Sequence, residues 1–94
     1  YFYIDGSRAA TLNFTEGQTY KFDQSDNTNN NHPLRISTTS NGTHSGGSEY
    51  TTGVTTSGTP GSSGAYTQIE VAVGAPTLYY YCTNHSGMGG QINT

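Results

Sequence analysis

Cys82, His85 and Met88 stand three residues apart in YYYCTNHSGMGGQ, residues 79–91. They include the only cysteine and the only methionine of the 94-residue chain. A thiolate is soft, an imidazole borderline, and a thioether soft and weak. Converging on one ion, the three match copper better than any other common metal. Zinc sites seldom use methionine, and an iron–sulfur cluster needs more cysteines than one. A trigonal copper plane is then short of one imidazole. His32, in Asn31-His32-Pro33 just ahead of a predicted strand, supplies it. His44, in a Gly- and Ser-rich loop, reads as a solvated residue rather than a ligand.

Ligands that far apart in the chain need rigid mounts, and the pattern offers strands. No stretch carries apolar residues at helical spacing, whereas period-two alternation recurs. YFYI runs into Asp5-Gly6, a strong hairpin signal. TLNFTEGQTYKFD places Leu12 and Phe14 on one face, turns at Glu16-Gly17, and places Tyr20 and Phe22 on one face again. PLRIS pairs Leu34 with Ile36, and AYTQIEVAV alternates through Ile69, Val71 and Val73. TLYYYC forms the strand that mounts Cys82, with one or two of Tyr79, Tyr80 and Tyr81 in the core, and GQINT begins the last strand. The PLRIS strand is positioned to lie beside TLYYYC, which would bring His32 to Cys82. Between them runs a long polar stretch, Thr38 to Gly64, expected to pack across one side with Tyr50 and Val54 as anchors and a short strand in EYTTGV. About seven or eight short strands with turn signals between them predict one domain, residues 1–94, an antiparallel β-sandwich or barrel with Greek-key connections.

Composition narrows the function. Charged residues make up 10% of the chain and the formal net charge is −3. Arg8, Lys21 and Arg35 are scattered, so no basic patch invites nucleic acid. No apolar run reaches membrane-spanning length. Eight Tyr, three Phe and no Trp supply a thin core in a background of Thr, Ser, Gly and Asn. That background resembles secreted, cell-surface and virion modules. The start at Tyr1 reads as a segment of a longer precursor. One cysteine forms no internal disulfide. Asn13, Asn41 and Asn84 match the glycosylation acceptor pattern, read here as chance matches in a chain rich in Asn and Thr. No nucleophile–base pair, carboxylate pair or phosphate loop emerges, so no catalysis is assigned.

With those residues in view, the chain resembles the cupredoxins, the small blue-copper β-sandwich family. CTNHSGM has the family's Cys–His–Met order with the short spacing of amicyanin-type loops. TEGQTYKFD is similar to the strand that precedes the first copper histidine, and MGGQINT to the passage into the last strand. The resemblance implies one type 1 copper ion, with His32, Cys82 and His85 as equatorial ligands and Met88 as the weak axial one. Two positions differ from the common family pattern. Pro33 follows the first histidine, where Asn often ties the ligand loops together. Asn84 stands where Pro often precedes the second histidine, which frees its backbone N–H to donate to the Cys82 sulfur.

A closer resemblance is to cupredoxin-like segments in large structural proteins of marine cyanobacterial phages and related environmental sequences. It rests on NNHPLRISTTSNGTHSGG, EYTTGVTTSGTPGSSGAY and APTLYYYCTNHSGMGG. It implies a copper-binding module of an extracellular, filament or virion structural protein, with neighbouring modules or further copies as partners. The alternatives are an electron carrier with a redox partner, a copper-storage module, and an adhesive sandwich whose site is empty or holds another metal. Around His85 stand Asn84, Ser86, Gly87 and Gly89, small and neutral, which favours the structural module over the carrier.

Overall fold

Asp5-Gly6 acts as its dipeptide suggests. Both residues have positive φ, 49° and 85°, the primed turn whose twist matches paired strands. It joins β1 (Tyr3–Ile4) to β2 (Ser7–Arg8) in register Tyr3↔Arg8. The computed structural model describes all residues, 1–94, and the same local logic continues along it: β3 (Leu12–Asn13), β4 (Thr19–Asp23), β5 (Leu34–Ser37), β6 (Val54–Ser57), β7 (Tyr66–Glu70), β8 (Leu78–Cys82) and β9 (Gly90–Asn93). The only helical pieces are two single 3₁₀ turns, Asn27–Asn29 and His44–Gly46.

The strands form two facing sheets, β3-β9-β8-β5 and β4-β7-β6, beside the small β1-β2 hairpin. Phe22 of one sheet meets Tyr80 of the other with ring centroids 5.9 Å apart. Phe2, Leu34, Ile36, Ile69, Val71, Leu78, Cys82 and Ile92 complete the buried cluster. The all-β sandwich is as the alternation predicts. Nine strands appear rather than seven or eight, because the first three are two-residue fragments. The pairing is antiparallel except at one edge, where β3 runs parallel to β9 with Leu12 beside Ile92.

Two local expectations need correction. EYTTGV is not itself a strand: Glu49 makes an isolated bridge to Ser37, and the strand begins only at Val54. Tyr50 and Val54 do pack against the core as anchors. Val73 does not continue the buried face of Ile69 and Val71. It is 86% exposed, because the chain leaves the sheet after Val71 and turns, with Ala75 N–H donating to the Ala72 carbonyl.

β8 is buried on both faces. Tyr80 points inward and its hydroxyl donates to the Ala10 carbonyl at 2.6 Å. Tyr81 points outward and is equally buried, because the segment after β5 folds over it. That segment organises itself through Thr39, whose Oγ1 donates to the Gly42 carbonyl and accepts from Ser48 N–H. Gly42 has φ +62°, and a Cβ there would run into the Tyr81 ring. Gly64 has φ +81° with open space around it. Gly42→Ala should therefore cost both a left-handed alanine and a steric clash, about 2 kcal/mol or more. Gly64→Ala should cost only the first, about 1 kcal/mol. Thermal unfolding of the two variants tests this; equal losses would mean that Tyr81 is not held by this loop.

Candidate metal centre

The site is built by the register of two strands. β5 and β8 pair antiparallel with Leu34 opposite Cys82 and Ile36 opposite Tyr80. Leu34, Ile36, Tyr80 and Cys82 all face the core. His32 lies two residues before Leu34, so an extended chain carries it just past Cys82 on the same side. His85 returns to the sulfur from the loop after β8. Cys82 Sγ lies 3.7 Å from His32 Nδ1 and 3.6 Å from His85 Nδ1. The imidazole centroids are 4.6 Å apart, and the three ligand atoms lie within 4.8 Å of one another. Cys82 is fully buried, His32 half-buried and His85 exposed.

These separations suit a shared ion. With bonds of about 2.3 Å to sulfur and about 2.0 Å to nitrogen, angles between tetrahedral and trigonal require S···N of roughly 3.5–3.7 Å. His32, Cys82 and His85 form the one such group of histidine, cysteine and carboxylate side chains in the chain. Met88 is half-buried against the core cluster and lines, with His32, one open groove of about 880 Å³. Its carbonyl accepts from Phe2 N–H at 2.9 Å, which ties the N-terminal hairpin to the ligand loop.

His32 is held by a residue that the sequence did not mark. Gln24, 3% exposed, follows β4 directly. Its Oε1 accepts from Leu34 N–H at 3.0 Å, and its Nε2 donates to the His32 carbonyl at 2.7 Å. Its own backbone is paired with Ala65 and Gly61. Leu34 sits at the outer edge of its sheet, and Thr67 of the opposite sheet donates to its carbonyl at 2.7 Å. Side chains of one sheet thus complete the edge of the other and fix the backbone on both sides of Pro33. Upstream, Asp26 caps the Asn27–Asn29 turn by accepting from Thr28 N–H. Asn31 takes the left-handed conformation, φ 64°, that Asn tolerates better than most residues.

Asn84 joins the ligand segments by a different bond from the expected one. Its side-chain Nδ2 donates to the Asn31 carbonyl at 3.0 Å, and Thr83 N–H donates to the Pro33 carbonyl. The sulfur's hydrogen-bonding neighbours are the two imidazoles rather than the Asn84 N–H. His44 also departs from expectation. It is half-buried, with Nε2 2.8 Å from the Cys82 carbonyl and its ring edge-on to Tyr81. It is neither freely solvated nor a member of the three-residue group. Asn41 of the same loop donates from Nδ2 to Ser86 Oγ and accepts from Gly87 N–H. Asn41 and Asn84 therefore already use the side-chain nitrogens that glycosylation would modify.

Burial, and then the neighbouring His85, hold the His32 pKa below its ordinary 6.5. Its neutral form, the one a metal needs, thus persists to lower pH. No family model, curated protein or solved structure matches this chain.

Two outcomes follow from this geometry. Gln24→Met keeps the volume but leaves the Leu34 N–H and the His32 carbonyl without partners. It should cost about 2–4 kcal/mol in denaturant unfolding and weaken metal binding roughly ten- to hundredfold. Wild-type affinity in a folded Gln24→Met protein would show that the clamp does not serve the site. The second concerns pH. With the folded His32 pKa below the unfolded one, the unfolded chain takes up more protons as pH falls through 6.5, so apo stability is full above 6.5 and declines below it. Melting curves of metal-free protein from neutral to mildly acidic pH should show that decline, and His32→Asn should flatten it. Parallel curves would remove His32 from the account.

Proposed function

We propose that the chain is a copper-binding, cupredoxin-like module, with His32, Cys82, His85 and Met88 as the ligands of one ion. The observation that carries the reading is the Cys82 sulfur set 3.6–3.7 Å from two imidazole Nδ1 atoms; Met88, with the chain's one thioether, lines a groove that His32 also lines. Three such donors fit zinc or copper alike. What favours copper is the donor set: no carboxylate or further histidine belongs to the group, and Met88, which shares a groove lining with His32, is the chain's one further soft donor. Bound there, copper would supply a Cu(I)/Cu(II) couple. The protein's part is to hold the donors, keep the sulfur dry and resist rearrangement.

The role that fits best is structural: a module of an extracellular, filament or virion protein in which the ion acts as a staple. Its ligands come from segments 50 residues apart, so the ion closes a long loop. The residues that flank His85 in the sequence, Asn84, Ser86, Gly87 and Gly89, are small and neutral, which favours this role over a carrier with a charged docking patch. The resemblance of three long segments to modules of phage structural proteins points the same way. Neighbouring modules or further copies of the chain are the expected partners.

One equivalent of Cu(II) added to purified protein should produce an intense blue thiolate-to-copper band, and Cys82→Ser should abolish it. Met88→Gln should keep copper but lower the potential, since a harder axial oxygen favours Cu(II). A colourless protein that prefers Zn(II) would sink the copper assignment. At a thousandfold excess of free metal over Kd, loading should add about 4 kcal/mol, roughly 15–30 °C in Tm for a domain of this size. A monomer that exchanges electrons rapidly with a soluble redox partner, and gains little stability from copper, would restore the carrier.

A further inference from the structure

The Cys82 carbonyl lies where the sheet runs out. β9 pairs with β8 only as far as Gly90↔Tyr80. On the other side, the next cross-strand bond beyond Cys82 is Thr83 N–H to the Pro33 carbonyl. The last residue of β8 would therefore present its carbonyl to the ligand loop without a strand partner. His44 fills that place from a separate segment, with Nε2 at 2.8 Å. A carbonyl only accepts, so this nitrogen carries the proton and donates. The ring is fixed as well, edge-on to the buried Tyr81 at 6.2 Å and 89°.

The same loop grips the ligand segment a second time. Asn41 Oδ1 accepts from Gly87 N–H at 2.7 Å, and Asn41 Nδ2 donates to Ser86 Oγ at 2.8 Å. The run from Cys82 to Met88 is thus held near both ends by residues only three apart, Asn41 and His44. Neighbouring backbone accommodates this at some cost: Ser45, without the tolerance of Gly or Asn, is left-handed at φ 60°.

We propose that His44 is a positioning residue for the metal centre, one that acts through the Cys82 carbonyl to fix the direction in which the thiolate meets the ion. The inference rests on the copper reading. With the Cys82 peptide braced by β5 on one side and His44 on the other, the backbone that carries the sulfur would resist a shift of bound Cu(II) toward its preferred tetragonal geometry. Losing the brace frees that relaxation, which favours the oxidised ion.

The test compares copper-loaded wild type with His44→Ala, His44→Gln and His44→Asn by visible spectroscopy, voltammetry and competition for metal. His44→Ala should lose intensity in the blue band, shift to lower potential and bind copper roughly ten- to hundredfold more weakly. His44→Gln, whose amide can reach the carbonyl, should restore band and potential; His44→Asn, one methylene shorter, should not. If the alanine variant does not fold, the Gln–Asn contrast carries the test. A merely structural histidine would lower the apo melting temperature while leaving the loaded spectrum and potential as in wild type, and that result overturns the proposal. A wild-type protein that never turns blue defeats the copper reading beneath it, an outcome visible before any variant is made.

Discussion

The antiparallel pairing of Leu34 with Cys82 is the constraint on which the rest of the molecule depends. Side chains alternate across a strand, so slipping that register by one residue would turn Cys82 out of the core and carry Tyr81 inward. In the observed register Leu78, Tyr80 and Cys82 face Leu34 and Ile36 inside the sandwich, and His32 follows just beyond the sulfur. Three devices pin it: Gln24 on the Leu34 N–H, Thr67 on the Leu34 carbonyl, and Tyr50 N–H on the Ile36 carbonyl. Three outward-facing backbone groups of β5 are thereby satisfied, which limits its freedom to slide and its appeal to a foreign strand.

This chain holds its shape with more polar chemistry than apolar mass. Only 16 of 94 residues are buried, and Gln24, Ser37 and Thr67 are among them. Each of these lies inside because it completes a backbone group. No buried side-chain nitrogen or oxygen lacks a partner, which is what keeps such burial from being destabilising. The long stretch between β5 and β6 follows the same rule on a larger scale. Thr39 gathers it, Tyr81 gives it a surface to rest on, and Asn41 and His44 fasten it to the ligand loop.

The site has a direction. Its sulfur is enclosed by the core, one imidazole sits at the groove, and the other reaches solvent. The chain's own hydrogen bonds place the segments that carry the three side chains: Gln24 at the His32 carbonyl, Asn84 between the two segments, His44 at the Cys82 carbonyl.

Alternation in the sequence was enough to read most of the strands and the inward faces of Leu34, Ile36 and Ile69, the Asp-Gly dipeptide the first turn, and donor type with the cupredoxin resemblance the grouping of His32 with Cys82 and His85. These are properties of periodicity, turn chemistry and ligand type, which act locally. What alternation could not reveal was where a strand stops. Val73 keeps the pattern yet lies outside, because the chain turns away after Val71. Tyr81 breaks the pattern yet is buried, because a loop from far upstream covers it. Gln24 and His44 lay beyond reach for a related reason. Nothing in a glutamine after a strand, or a histidine in a Gly/Ser loop, announces which distant carbonyl it will meet. Their roles exist only once β5 and β8 have paired and the loops have closed over them, since a hydrogen bond is decided by proximity in space, and proximity here spans from 8 to 38 residues of chain.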